Sequence, residues 1–99
     1  MTVKTLEEIE QTLRRHKSEL HKKYGVTEIG VFGSYVRGKQ GEKSDVDILV
    51  TLEQPVSLLT FVGMAHHLED LLGIKVDLVM KKTLKPHIGR HILEEVQYV

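Results

Sequence analysis

The chain has 99 residues, of which 40% are hydrophobic and 28% charged; 14 basic residues balance 14 acidic ones, and there is no cysteine. This length makes one domain, residues 1–99, the default, with a modest core. The charge balance offers no basis for bulk nucleic-acid or membrane binding, and the missing cysteine excludes disulfides, thiol catalysis and thiolate-bound metals.

The first stretch, MTVKTLEEIEQ, lacks the apolar core of a signal peptide, and no apolar run approaches the roughly 20 residues that span a bilayer. A cytoplasmic protein is expected. Residues 5–24 read as a helix: Thr5 and Glu8 make a T-x-x-E capping box, and Leu6, Ile9, Leu13, Leu20 and Tyr24 fall on one face. Gly25 ends it. Residues 28–33 form a short β-rich run, and 34–38 have room for one helical turn. Residues 39–44 are a polar loop, and 45–52, DVDILVTL, are the clearest strand. After Pro55, residues 57–72 carry Leu58, Phe61, Ala65, Leu68 and Leu72 at alternating spacings of three and four, with Ser57 as cap. Residues 74–80 return to strand character. Pro86 opens a last helix with Ile88, Ile92 and Leu93 on its apolar face, and residues 96–99 are read as a short edge strand. The expected fold is α+β, a small mixed β-sheet with helices packed on one face.

Side chains alternate across a strand. Asp45 and Asp47 therefore share a face opposite Val46, Ile48 and Val50. By the same parity Asp77 opposes Val76, Leu78 and Met80. If the aliphatic faces of both strands meet the helices, all three carboxylates emerge on the other side. Such carboxylates repel one another, and a divalent cation relieves the conflict. Mg²⁺ takes one or two carboxylates plus substrate phosphates. Two such ions about 3.5–4 Å apart can clamp an in-line displacement at phosphorus. Alone, an Asp-x-Asp pair is more often a solvated or capping feature, and Gly33-Ser34 more often a plain turn. Together, Gly33 lets a ligand approach the backbone, Ser34 and the N–H groups at a helix start suit an anion, and Arg37 lies one turn on. Arg37 could reach a phosphate or pair with a carboxylate.

Gly33-Ser34, ten intervening residues, Asp45-x-Asp47 and a distal Asp77 resemble the signature of the DNA polymerase β-type nucleotidyltransferase superfamily. Within it, FGSYVRG, SDVDILV and VDLV resemble the minimal nucleotidyltransferases, the MNT or MntA-like proteins of prokaryotes. The motifs cover residues 31–80. The resemblance implies a polymerase β-like nucleotidyltransferase fold, ATP as substrate and Mg²⁺, with two ions expected. It assigns Gly33 and Ser34 to the triphosphate, Asp45 and Asp47 to metal, and Asp77 to metal and to deprotonation of the acceptor hydroxyl. Tyr35 and Val36 stand where many relatives carry Arg and Ala, which makes Arg37 the better candidate for a phosphate contact.

Many such proteins are antitoxins that adenylylate a tyrosine of a partner HEPN ribonuclease toxin, and that is the leading functional expectation. The alternatives are a nucleotidyltransferase subunit acting on a small molecule such as an aminoglycoside, and an antitoxin that works by binding alone. No membrane or nucleic-acid partner is expected, and the sequence leaves room for a homo- or hetero-oligomer. His66 and His67 face different directions and read as surface or rim residues. His87 and His91, four apart, read as a solvated face. Tyr35 could stack on a substrate or cover the core.

Overall fold

The helix starts and stops written in the sequence form as hydrogen bonds in the computed structural model, which describes residues 5–41 and 44–99; Glu42 and Lys43 of the polar loop and the side chain of Ile88 lie outside the described residues. Helix α1 spans Leu6–Tyr24. The Glu8 N–H donates to the Thr5 hydroxyl and the Thr5 N–H donates to the Glu8 carboxylate, each at 3.2 Å. Strand β1 is Val26–Phe32, helix α2 is Ser34–Arg37, and strand β2 is Val46–Leu52. Helix α3, Leu58–Leu72, starts under the Ser57 cap, whose hydroxyl accepts the Thr60 N–H at 3.1 Å. Strand β3, Val76–Met80, is followed by a 3₁₀ turn, by helix α4 at Pro86–Glu95 and by strand β4 at Gln97–Tyr98. Each expected element is present, with strand ends moved by one or two residues. β1 stops before Gly33 because the backbone turns there. β2 begins at Val46, whose N–H donates to the Lys75 carbonyl at 2.9 Å.

The four strands form a mixed sheet in the order β3-β2-β1-β4. β1 is antiparallel to both of its neighbours, whereas β2 and β3 are parallel and joined by α3. Parallel neighbours need such a crossover, while β1 and β2 do not. Helices α1 and α3 cover one face. Ile9, Leu13 and Leu20 of α1 and Met64, Leu68 and Leu72 of α3 close over Ile29, Val31, Val46, Ile48, Val50 and Leu78. Met64 is fully buried, whereas Leu58, expected on the same stripe as Phe61 and Leu68, is 78% exposed. It sits in the first turn of α3, on the rim of a cavity that Phe61 and Leu78 also line. Among the described residues, no helix is long and apolar enough to cross a membrane.

The short last strand is fixed by more than its own ladder. The Val99 N–H donates to the Ile29 carbonyl at 3.0 Å, and Lys17 Nζ donates to the Val99 carbonyl at 2.7 Å. This close approach depends on Gly30: a Cβ there would lie 2.8 Å from both the Gln97 carbonyl oxygen and Val96 Cγ2. Backbone cannot yield as a side-chain tip can. Gly30→Ala is therefore expected to cost about 1–3 kcal/mol, the range for overpacking. Faster hydrogen exchange at the Val99 amide would show that β4 has been levered off; unchanged exchange and melting would contradict the account.

Candidate active site

Parallel pairing of β2 with β3 sets Asp47 directly opposite Asp77, with Val46 opposite Val76 and Ile48 opposite Leu78. Partners in register share a face, so the parity expected from sequence becomes adjacency. The Val46, Ile48 and Leu78 side is core, and the two aspartates point away from it. Asp45 precedes the strand by one residue and is exposed, as is Asp77, while Asp47 is half-buried. On the other side of β2, Phe32 of β1 is the register partner of Asp47. The chain then turns at Gly33, next to the same carboxylate.

That turn fits only glycine. Gly33 has φ 81° and ψ −152°, a region that other residues essentially avoid. A Cβ at Gly33 would also fall on the Asp47 carboxylate, 2.9 Å from its Cγ. Backbone and carboxylate thus touch at the point where the two sequence motifs meet. The Val36 and Arg37 N–H groups both donate to the Gly33 carbonyl at 3.1 Å, which closes the single turn of α2. Tyr35, left open between two roles by its sequence, is core: it is 3% exposed and belongs to the main apolar cluster. Its hydroxyl leans toward the Ser44 carbonyl at 3.5 Å, and burial together with the Asp45 charge raises its pKa. It packs α2 against the start of β2.

The electrostatics follow from this placement. Burial pushes the Asp47 carboxyl up to about 6, with the charge of Asp77, a hydrogen bond to Asp77 and the charge of Asp45 adding to it, and Arg37 opposing. All the donors are hard carboxylate oxygens, and mutual repulsion leaves a deficit of positive charge. This chemistry suits Mg²⁺. The three aspartates do not form a closed cage: among the described residues, no three His, Cys, Asp or Glu side chains converge as a metal-binding group. Asp47 with Asp77 is the pair that the sheet brings together, with Asp45 adding charge at the strand mouth.

Sequence reasoning missed the other wall. Phe32, Gly33, Arg37 and Asp47 line a cleft of about 470 Å³ with His91, Ile92 and Glu95 of α4. Glu95 reaches both ends of the α2 turn: its Oε2 accepts the Gly33 N–H at 2.8 Å and its Oε1 accepts from Arg37 Nη1 at 2.6 Å. Arg37, expected to meet a phosphate or a carboxylate, here meets a carboxylate. His91 and Glu95 lie four apart on α4, so they share a helix face. That spacing was the available signal, but it did not say which surface the face would meet. His67, by contrast, is a rim residue between α1 and α3, with its Nδ1 3.1 Å from the Tyr24 hydroxyl.

A family model described as the nucleotidyltransferase domain matches residues 13–99. The chain is 58% identical to the protein adenylyltransferase MntA of Thermococcus cleftensis, over 100% of both chains. It superposes on the solved structure of a provisionally named minimal nucleotidyltransferase with a TM-score of 0.79 at 33% identity, covering 98% of each chain. It is also similar in fold to a chain in the complex of a tri-AMPylated Shewanella oneidensis HEPN toxin with an MNT antitoxin. That match has a TM-score of 0.68 at 19% identity and covers 91% of this chain and 70% of that one.

Proposed function

Because the chain belongs to the nucleotidyltransferase-domain family, as a minimal nucleotidyltransferase of the MntA type within the polymerase β-like superfamily, we propose that it transfers AMP from ATP to a tyrosine hydroxyl of a HEPN-type partner protein. The observation that carries the reading is the meeting of Gly33 with Asp47 across from Asp77. The glycine turn and the carboxylate pair, read from separate motifs, thus adjoin. The name of the Thermococcus relative supports protein as the acceptor and adenylyl as the group transferred. The likeness in fold to a chain of the HEPN–MNT complex supports the partner class.

In this proposal Gly33 and Ser34 receive the β- and γ-phosphates, with Arg37 adding positive charge. Asp45 and Asp47 would hold Mg²⁺, with Asp77 completing the set and two ions as the stoichiometry. When bound, the metal would supply Lewis-acid charge at the phosphates. The acceptor oxygen forms a bond to the α-phosphorus as the bond to the bridging oxygen of the β-phosphate breaks. The hydroxyl proton passes to Asp77, and pyrophosphate leaves. Asp77 suits this task because it is exposed beside Asp47 rather than sealed in the core. The work of the protein is positioning and preorganised charge.

The test uses ATP labelled at the α-phosphate, Mg²⁺ and a HEPN-type protein as acceptor. Label is expected on one or more partner tyrosines, and γ-phosphate label is not. Label on a small molecule with none on protein would favour the small-molecule reading. Neutralisation of the partner without any transfer would favour an antitoxin acting by binding alone.

A further inference from the structure

Glu95 stands where the proposed substrate must go. An amide carries a single hydrogen, and that of Gly33 is given to Glu95 Oε2 at 2.8 Å. The other carboxylate oxygen takes Arg37 Nη1 at 2.6 Å. The two oxygens thus bridge the main-chain N–H and the guanidinium at opposite ends of α2, as two oxygens of a phosphate would. The Glu95 side chain is 20% exposed and that of Arg37 54%, so the carboxylate is the shielded half of the pair. The same cleft contains Asp47, which already suffers from neighbouring negative charge. The single Gly33 N–H cannot serve Glu95 and a phosphate together, and a further carboxylate beside Asp47 and Arg37 opposes the charge of a triphosphate there. The backbone around Glu95 is anchored, since its helix runs directly into β4, which pairs with β1. Release therefore calls for rotation of one side chain and not for loss of the helix.

We propose that Glu95 is an internal competitor for the nucleotide: its carboxylate holds the phosphate-binding turn closed and must swing away before the triphosphate can bind. This rests on the reading of Gly33 and Ser34 as the phosphate site. The contact sets nucleotide affinity, and any partner that draws Glu95 or α4 aside raises that affinity. Binding to a fractionally open site is weakened by the open fraction, so a latch closed about nine-tenths of the time costs about tenfold in apparent affinity.

The experiment titrates the full chain with α,β-methylene-ATP and Mg²⁺ by calorimetry, for wild type, Glu95→Gln, Glu95→Ala and Ser34→Ala, with melting measured in parallel. Glu95→Gln keeps the size of the side chain and an amide oxygen for Gly33, but leaves Arg37 without its anion. Glu95→Ala is expected to bind about tenfold tighter and Glu95→Gln tighter by a smaller factor. They are also expected to melt lower than wild type without nucleotide and to gain more from it. A purely structural Glu95 would give lower melting with weaker binding, and that result or unchanged affinity overturns the proposal. Ser34→Ala separates the two levels. If it weakens binding while the Glu95 variants do not strengthen it, the latch alone is wrong. If wild type does not bind, or Ser34→Ala binds equally well, the phosphate site is wrong and the latch falls with it.

Discussion

Asp47→Asn is expected to lower adenylyl transfer by on the order of 10²–10³-fold, the scale of deleting one preorganised electrostatic group, while making the protein more stable at neutral pH without divalent cations. The two effects have one origin. Burial and the Asp77 and Asp45 charges raise the Asp47 carboxyl from its ordinary 3.8 to about 6. A raised acid means that the native state holds more protons than the unfolded chain between those values. Stability must then fall as pH rises from about 4 to about 6, and it stays at the lower level above that window. The shift corresponds to at most about 3 kcal/mol. Solvent screening of a half-exposed group brings this to about 1 kcal/mol. Asparagine imitates the protonated form and removes the loss, so the melting temperature at pH 7.5 should rise by about 4–8 °C, as about 1 kcal/mol implies for a domain of this length. Added Mg²⁺ should stabilise wild type above pH 6 and do little for the variant. Differential scanning fluorimetry across pH, with and without Mg²⁺, beside the label-transfer assay, measures all of this. A variant that melts lower than wild type, or that still transfers label at the wild-type rate, contradicts the account.

The face carrying the aspartates was legible in the sequence because it depends only on the two-residue period of a strand. Val46, Ile48 and Val50 had to be inside, and Asp45 and Asp47 had to be opposite. Adjacency was not legible, since parity says nothing about which strand lies beside which. The register of Asp47 against Asp77 arises from the parallel crossover through α3. The helix starts at Thr5 and Ser57 were legible because capping is local. Leu58 misled because spacing reports the angle around a helix and not whether anything covers that turn. Glu95 was missed for a related reason, and His91, read as part of a solvated face, is exposed but lies along the cleft. Nothing local to α4 reveals where it lies across the sheet, and its hydrogen bond to Gly33 spans 62 residues of sequence. Tyr35 needed the tertiary core to choose between its two roles.

Gly33→Ala is expected to be the most damaging single change, and its partner in a double-mutant cycle shows why. Adopting φ 81° and ψ −152° costs a residue with a Cβ about 1–3 kcal/mol in backbone strain. The new methyl also collides with the Asp47 carboxylate. The chain can respond by moving the carboxylate away from Asp77 or by opening the α2 turn, and either response dismantles the proposed site. Transfer should fall at least as far as in Asp47→Asn, with stability lost where that variant gains it. In an Asp47→Ala background the carboxylate is gone, and of the Asp47 atoms the methyl met, the Cβ at 3.2 Å remains. The backbone strain persists there but the main collision does not. Gly33→Ala should therefore destabilise the Asp47→Ala protein less than it destabilises wild type, with a coupling of about 0.5–3 kcal/mol, the range for residues in contact. Urea denaturation of the four proteins measures it. Strict additivity would mean that Gly33 is required by the turn alone, and that its contact with Asp47 does not constrain where the carboxylate sits.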